Sequence, residues 1–171
     1  AVKNGDVAWI EGTGDAKTLK FASRTILVKT AAGAKRVSGW LAKTPGNAAV
    51  YLVANDGKRY VFPGQGQYFG WYQDFASVRT ISQGALAGYG LGGNVLYRPG
   101  SRLLKTAYSP RVYAVGNDAA LHWIASEDVI VSVYGSAWKG RLDTIDESLL
   151  GDYGTGSNIT SDIGYYAALT K

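Results

Sequence analysis

The chain has 171 residues, of which 46% are apolar, 12% aromatic and 18% charged, and its net charge is +5. This composition excludes a disordered chain, because solvated coils hold few aromatic residues. The sequence also contains no run of 18 apolar residues, the length that spans a bilayer. The lack of Cys excludes disulfides, thiolate metal sites and a cysteine nucleophile, whereas 23 glycines predict a strand-rich fold with many tight turns.

The first 38 residues are predicted to form a β-rich N-terminal segment. Apolar and β-branched residues cluster or alternate at 7–10, 18–21 and 25–29, and glycine-bearing turns separate these runs. The chain begins Ala1-Val2 and contains no Met, which predicts the mature product of signal-peptide cleavage, with a trimmed chain as the alternative.

An internal repeat follows this segment. Residues 50–56 read VYLVAND and recur as VYAVGND at 112–118, an offset of 62, and downstream matches such as Tyr89 with Tyr153 stand at an offset of 64. Self-similarity at a fixed period indicates a duplicated structural unit. We therefore predict unit one at 39–99, unit two at 100–160 and a C-terminal tail at 161–171.

Each unit is predicted to contain a β-hairpin, a short helix and linking strands. Asn55-Asp56-Gly57 is a hairpin turn signal between strands at 50–53 and 59–62, and unit two repeats this pattern with a return strand at 120–124. Ser126 before two acidic residues indicates a helix start, and the counterpart at 68–75 predicts a shorter helix. The predicted fold class is α+β, predominantly β, with two hairpin-plus-short-helix repeats.

Two long strings carry a family resemblance. Residues 56–63 read DGKRYVFP and are followed by YFGWYQDF at 68–75, and residues 91–100 read LGGNVLYRPG. Together they resemble the tandem repeats of about 62 residues found in predicted exported, cell-surface proteins of candidate-phylum (Patescibacteria-like) bacteria. The resemblance covers residues 38–160; it implies export and a cell-surface setting, and it carries over no catalytic residues.

Catalytic chemistry is not indicated. The single histidine, His122, lies in a predicted strand and is interpreted as a half-buried structural residue. The glycine spacing at 88–93 has a strand after it rather than a helix, which favours a flexible loop over a dinucleotide site. Asp143, Asp146 and Glu147 cluster beside a predicted helix start, where capping and solvation explain them. We predict a protein that is not an enzyme and binds no cofactor or metal.

Charge is divided unevenly along the chain. Residues 1–43 hold eight Lys/Arg and three Asp/Glu, residues 44–111 hold seven and two, and residues 112–171 hold three and eight. Residues 1–111 are therefore basic and residues 112–171 acidic. Either these two parts neutralise each other within one globule, or the basic part of one copy meets the acidic part of another. The basic residues are scattered, which predicts no nucleic-acid binding.

These observations predict a structural subunit of an extracellular, self-assembling surface structure, such as a filament, pilus-like fibre or surface layer, whose copies associate head to tail. A terminal strand completing a neighbour's sheet edge is the expected contact. The candidate assembly strands are Val7, Ala8, Trp9 and Ile10, and Ile163, Tyr165, Tyr166 and Leu169.

The alternative is a module or adhesin that binds cell-wall or host glycans. Aromatic rings exposed to solvent can stack on sugar rings, and the candidates are Trp71, Tyr72, Trp123 and Trp138. The repeat pattern assigns most of these positions to the core, so that core packing is the competing interpretation. A wall-active hydrolase would require a cleft with two facing carboxylates.

Overall fold

The computed structural model describes residues 7–11, 18–22 and 25–170, and side chains from residue 25 to 169. It confirms a mixture of sheets and short helices in which sheets dominate. None of the helices within these ranges is long and apolar enough to cross a bilayer.

The N-terminal segment forms two hairpins. Strand β1, Val7–Glu11, pairs antiparallel with β2, Thr18–Ala22, and β3, Ile26–Thr30, pairs antiparallel with β4, Gly33–Val37. Three of these strands confirm the runs predicted at 7–10, 18–21 and 25–29. Strand β3 also contacts the sheet that follows, through a bridge between Val28 and Val95.

A five-stranded sheet occupies residues 39–94 in the order β8-β5-β6-β7-β9. The three central strands form an antiparallel meander, and the two edge strands pair parallel to their neighbours. Helix α1, Gln65–Trp71, and helix α2, Gln83–Ala87, connect the meander to the edges. The strands are β5 (Gly39–Lys43), β6 (Tyr51–Ala54), β7 (Lys58–Val61), β8 (Arg79–Thr80) and β9 (Gly90–Asn94).

A second five-stranded sheet occupies residues 103–155 in the order β13-β10-β11-β12-β14, again with parallel edges. Helix α3, Glu127–Tyr134, and a 3₁₀ turn, Trp138–Arg141, precede β13, and a second 3₁₀ turn, Glu147–Asp152, precedes β14. Helix α4, Asp162–Thr170, ends the chain's described part. The strands are β10 (Leu103–Thr106), β11 (Tyr113–Val115), β12 (Ala120–Trp123), β13 (Leu142–Ile145) and β14 (Gly154–Thr155).

Local chemistry explains the hairpins and helix starts. The turn between β6 and β7 places Gly57 at φ +78°, and the Asp56 carboxylate accepts the Lys58 N–H at 3.0 Å. Glycine adopts such a positive φ without steric cost. The Ser126 hydroxyl accepts the Val129 N–H and so caps α3, as its position before two acidic residues predicts.

Two predictions were wrong. Residues 163–170, predicted to form an exchanged strand, belong to α4, because Ser161 caps the first turn and buried Tyr165 and Ala168 share one helical face. The glycine-rich stretch at 88–93, interpreted as a flexible loop, enters strand β9 at Gly90, because the parallel ladder with β7 accommodates it. A Cβ on Gly92 would lie 2.4 Å from the Tyr60 ring, so that glycine permits this pairing.

Buried apolar side chains join the two sheets. Ala119, in the turn between β11 and β12, belongs to the same cluster as Leu52 of β6 and Trp71 of α1. Hydrogen bonds connect the same regions: the Asn94 amide donates to Asp152 at 2.8 Å, and the Tyr153 hydroxyl accepts the Tyr97 N–H at 3.1 Å. The groove described next lies where these two sheets meet.

Candidate functional site: a groove along the edge of strand β13

A groove with a volume of about 790 Å³ separates helix α1 from strand β13. Clefts of this size are typical of ligand sites. One wall is formed by residues 63–67 and Phe69 and Gly70, the floor by Tyr97, Ser101 and Arg102, and the other wall by residues 142–146 and Leu149.

The edge of strand β13 forms the second wall. Five consecutive residues, 142–146, line the groove, although successive side chains of a strand point to opposite faces. Such a run can line one groove only if the strand presents its edge rather than a face. In the second sheet β13 pairs with β10 alone, so its other edge has no strand partner within the described residues.

The floor is held by an ionic network. Asp143 accepts the Tyr97 O–H at 2.9 Å and the Arg102 Nε–H at 3.1 Å, and a second Arg102 nitrogen also donates to it. Burial, and then the hydrogen bond to Asp143, raise the pKa of Tyr97 above its usual value. The phenol therefore stays protonated and donates, which suits a structural tie and not a general base.

Helix α1 lies directly on this network. A Cβ at Gly66 would stand 2.2 Å from the Tyr97 hydroxyl oxygen and 2.3 Å from Asp143 Oδ2. Only a residue without a side chain permits this approach. The width of the groove is therefore fixed by contact between the first-sheet helix and the second-sheet edge strand.

Gln67 is the buried polar side chain of the groove. Gln67 on α1 is only 4% exposed, lines the groove, and makes no hydrogen bond within the described residues. Phe69, two residues later, is 47% exposed at the rim. Among the described residues, the side-chain atoms that are fully buried and lack a hydrogen-bond partner are Arg59 Nε and Ser77 Oγ. The Gln67 amide is not one of them, so it keeps contact with solvent and can exchange that contact for a ligand.

The four candidate glycan-stacking residues do not form one surface. Trp71 and Trp138 are only 5% and 7% exposed, and the Trp71 indole donates to the Leu96 carbonyl at 2.8 Å. Tyr72 is half-buried against Phe62 and Tyr68. Trp123 is half-buried beneath the Arg111 guanidinium, 5.1 Å from the ring centre. The two tryptophans with the lowest exposure belong to the core.

The candidate assembly strands fall in two different environments. Val7, Ala8, Trp9 and Ile10 lie in β1, whose side chains are outside the described residues. Of the C-terminal candidates, Tyr165 is buried, Leu169 is half-buried, and Ile163 and Tyr166 lie exposed on α4.

Sequence reasoning missed most of the groove. The acidic cluster was interpreted as capping, and Asp146 does accept the Ser148 N–H at 2.9 Å, whereas Asp143 binds Tyr97 and Arg102 instead. Gln67 lies outside the strings that carry the family resemblance, and Phe69 lies in one of them without any signal for a groove. Only the fold brings both residues to β13.

Comparison with known proteins does not identify a family for this chain. The chain matches no protein-family model, no curated protein and no solved structure. Residues 25–169 contain no group of three His, Asp or Glu side chains arranged to hold a metal ion. The resemblance to exported tandem repeats stays a prediction.

Proposed function

We propose that this chain is a non-enzymatic structural subunit of an extracellular surface structure, assembled head to tail from copies of itself. The observation that carries this proposal is the groove along the edge of β13. An open sheet edge inside a groove can accept an extended strand through main-chain hydrogen bonds, a common mode of peptide recognition.

The proposed donor is strand β1 of another copy. The hairpin β1–β2 is a two-stranded sheet, so that β1 has one neighbour and a second edge without a strand partner among the described strands. This edge can pair with β13 while β1 remains paired with β2. Because donor and acceptor surfaces differ, the contact repeats from copy to copy unless rotation closes a ring.

The charge distribution supports the same arrangement. Within residues 25–169 only the Arg102–Asp143 ion pair joins the basic first two-thirds of the chain to its acidic last third. Lys35–Asp56 lies inside the basic part, and Glu127, Asp128 and Asp162 are exposed. Charges that are not neutralised within one copy can steer two copies together, donor to acceptor.

We further propose that units 39–99 and 100–160 are two copies of one repeat. In support, the two five-stranded sheets have the same strand order. Their edge pairings also correspond: Ala42 opposes Arg79 in the first sheet, and Leu104 opposes Asp143 in the second, at the same offsets of 62 and 64. Residues 1–38 and 161–171 lie outside the repeat and would supply the contacts between copies.

The assembly proposal is tested by blocking the β13 edge. Thr144→Arg places a long charged side chain in the groove, and charged residues on edge strands prevent strand addition. Light scattering over a concentration series should give large assemblies for the wild type and monomers for the variant. Electron microscopy should show whether the assemblies are filaments.

The matched control is Thr80→Arg, because Thr80 opposes Lys43 in the first sheet as Thr144 opposes Lys105 in the second. This control should assemble like the wild type. A wild-type chain that stays monomeric at every concentration, or a Thr144→Arg variant that assembles normally, would contradict the proposal.

The glycan-binding alternative is supported by a different set of rings from the one predicted. Phe69 and Phe75 are 47% and 50% exposed, and the Phe75 ring stacks on Tyr68 with centres 4.5 Å apart. A polysaccharide pull-down with the Phe69→Ala, Phe75→Ala double variant separates the two functions. Binding that disappears in this variant, from a chain that does not assemble, would favour the glycan module.

A further inference from the structure

The side-chain amide of Gln67 indicates which class of ligand the groove binds. We infer that Gln67 binds the peptide main chain of the strand that pairs with β13; this inference rests on the proposed function. The Gln67 residue is only 4% exposed and lines the groove, and its side chain has no hydrogen-bond partner within the described residues. Its amide is therefore free to exchange water for the polar groups of a ligand in the groove.

The chemistry of the side chain identifies the ligand. A carboxamide carries N–H donors and a carbonyl acceptor, the same pair that a peptide group presents, and it can exchange two hydrogen bonds with one peptide unit. The ligand class that matches Gln67 on one wall and a free strand edge on the other is therefore an extended polypeptide.

The geometry of a strand explains why both walls are needed. In an extended chain, alternate residues point their N–H and C=O groups to opposite sides. A strand added to β13 would satisfy one set of groups and turn the other set towards α1. Gln67 stands on α1 and lines the groove, where its amide can pair with one residue of that second set.

Other ligand classes fit less well. Asp143 and Asp146 line the same groove, so that an anionic ligand would meet carboxylates. A glycan would need ring faces on the floor, where Tyr97 is buried and Phe69 lies only at the rim. Main-chain recognition by β13 and Gln67 also tolerates many side chains in the donor strand.

The test compares assembly with stability in the full chain. Gln67→Leu removes the amide and keeps an apolar body of similar length, and Gln65→Leu is the matched control, because Gln65 is exposed on the same helix and lines the same groove. We expect Gln67→Leu to raise the concentration of half-assembly about tenfold, as the loss of one or two main-chain hydrogen bonds predicts, and Gln65→Leu to leave it unchanged.

Thermal unfolding provides a readout that a purely structural role would change in the opposite direction. Because the Gln67 side chain makes no hydrogen bond within the described residues, Gln67→Leu should unfold at the same or a higher temperature than the wild type. Weaker assembly with unchanged or higher stability supports the inference. Lower stability, or assembly equal to that of the wild type, overturns it.

The two proposals fail in different ways. If Thr144→Arg abolishes assembly and Gln67→Leu does not change it, strand addition stands and the role of Gln67 is wrong. If the wild type never assembles, the proposed function is wrong, and a capped peptide with the sequence of β1, VAWIE, becomes the probe. If the peptide binds and Gln67→Leu weakens this binding, main-chain recognition is supported. If the peptide does not bind, or if a soluble polysaccharide binds instead and Gln67→Leu weakens that binding, main-chain recognition is wrong.

Discussion

The two five-stranded sheets differ in the ring that fills the space beneath one edge strand. In the first sheet, the Tyr60 hydroxyl donates to Asp56 at 2.6 Å, and its ring lies against Gly92. In the second, His122 occupies the corresponding place, with Nε2 3.2 Å from Asp118 Oδ1 and its ring against Gly156.

The difference lies in how many polar atoms each ring carries. Tyr60 acts through one hydroxyl, which donates to Asp56, whereas His122 makes polar contacts through two ring nitrogens, Nε2 with Asp118 and Nδ1 at 2.8 Å from the Ser157 carbonyl oxygen. The parallel ladder is longer in the first sheet, where β9 has five residues, than in the second, where β14 has two. The His122 imidazole therefore helps to hold the segment that contains β14, because a two-residue strand alone holds it weakly.

The largest predicted effect comes from the two glycines that face these rings. A Cβ would lie 2.4 Å from the Tyr60 ring at Gly92 and 2.3 Å from the His122 ring at Gly156. We expect Gly92→Ala and Gly156→Ala each to lower the free energy of unfolding by about 3 kcal/mol, because a buried ring must move. Urea denaturation measures this loss.

Glycines two residues earlier are the controls. A Cβ at Gly90 meets nothing within 4 Å, and at Gly154 it meets Ala120 at 3.6 Å, an ordinary contact. Gly90→Ala and Gly154→Ala should change the free energy of unfolding by less than about 0.5 kcal/mol. Equal losses at all four positions would show that ring contact is not the cause.

A smaller effect should separate the rings themselves. Tyr60→Phe removes one hydrogen bond and should cost about 1 kcal/mol, whereas His122→Phe leaves both Asp118 and the Ser157 carbonyl without their partner and should cost about 2 kcal/mol. Urea denaturation of both variants gives the ranking. A smaller loss for His122→Phe than for Tyr60→Phe would remove the distinction between the two sheets.

The smallest effect concerns Asp118 and depends on pH. Burial alone would raise the pKa of this carboxyl, but hydrogen bonds from the Ala120 N–H and from His122 outweigh it, and the pKa stays below its usual 3.8. A carboxyl with a lowered pKa stabilises the folded state above its unfolded-state pKa and loses this contribution as the pH falls through the folded-state pKa.

Asp118→Asn should therefore be less stable than the wild type at pH 7, and the two should converge as the pH drops below 3.8. Chemical denaturation across this range checks the convergence. A difference that persists undiminished in acid would mean that the charge of Asp118 is not what stabilises the turn.

Elements governed by short-range chemistry could be predicted from the sequence. The hairpin of β6 and β7 follows from Asn55-Asp56-Gly57, and α3 follows from its Ser126 cap, because turns and caps depend on neighbouring residues. For α4, a similar signal was present in Ser161-Asp162, but the aromatic residues that follow favoured a strand.

The edge strands and the groove could not be predicted in this way. Strand β8 has two residues and pairs with a strand more than 30 residues earlier, so that no local pattern marks it. The groove depends on the approach of Gly66 to Tyr97 and Asp143, which come from three separate parts of the chain. Gln67 acquires its significance only from that approach.

The hairpin β3–β4 has a consequence for how the molecule unfolds. Adjacent residues of β4 reach the turns of both five-stranded sheets: Lys35 pairs with Asp56 at 2.7 Å, and Arg36 donates to Asn117 at 2.9 Å. An element attached to both sheets couples their melting, so that a calorimetric trace of the intact chain should show a single heat-absorption peak. Cooperativity across the two sheets would then be a property of this one hairpin as much as of the shared core.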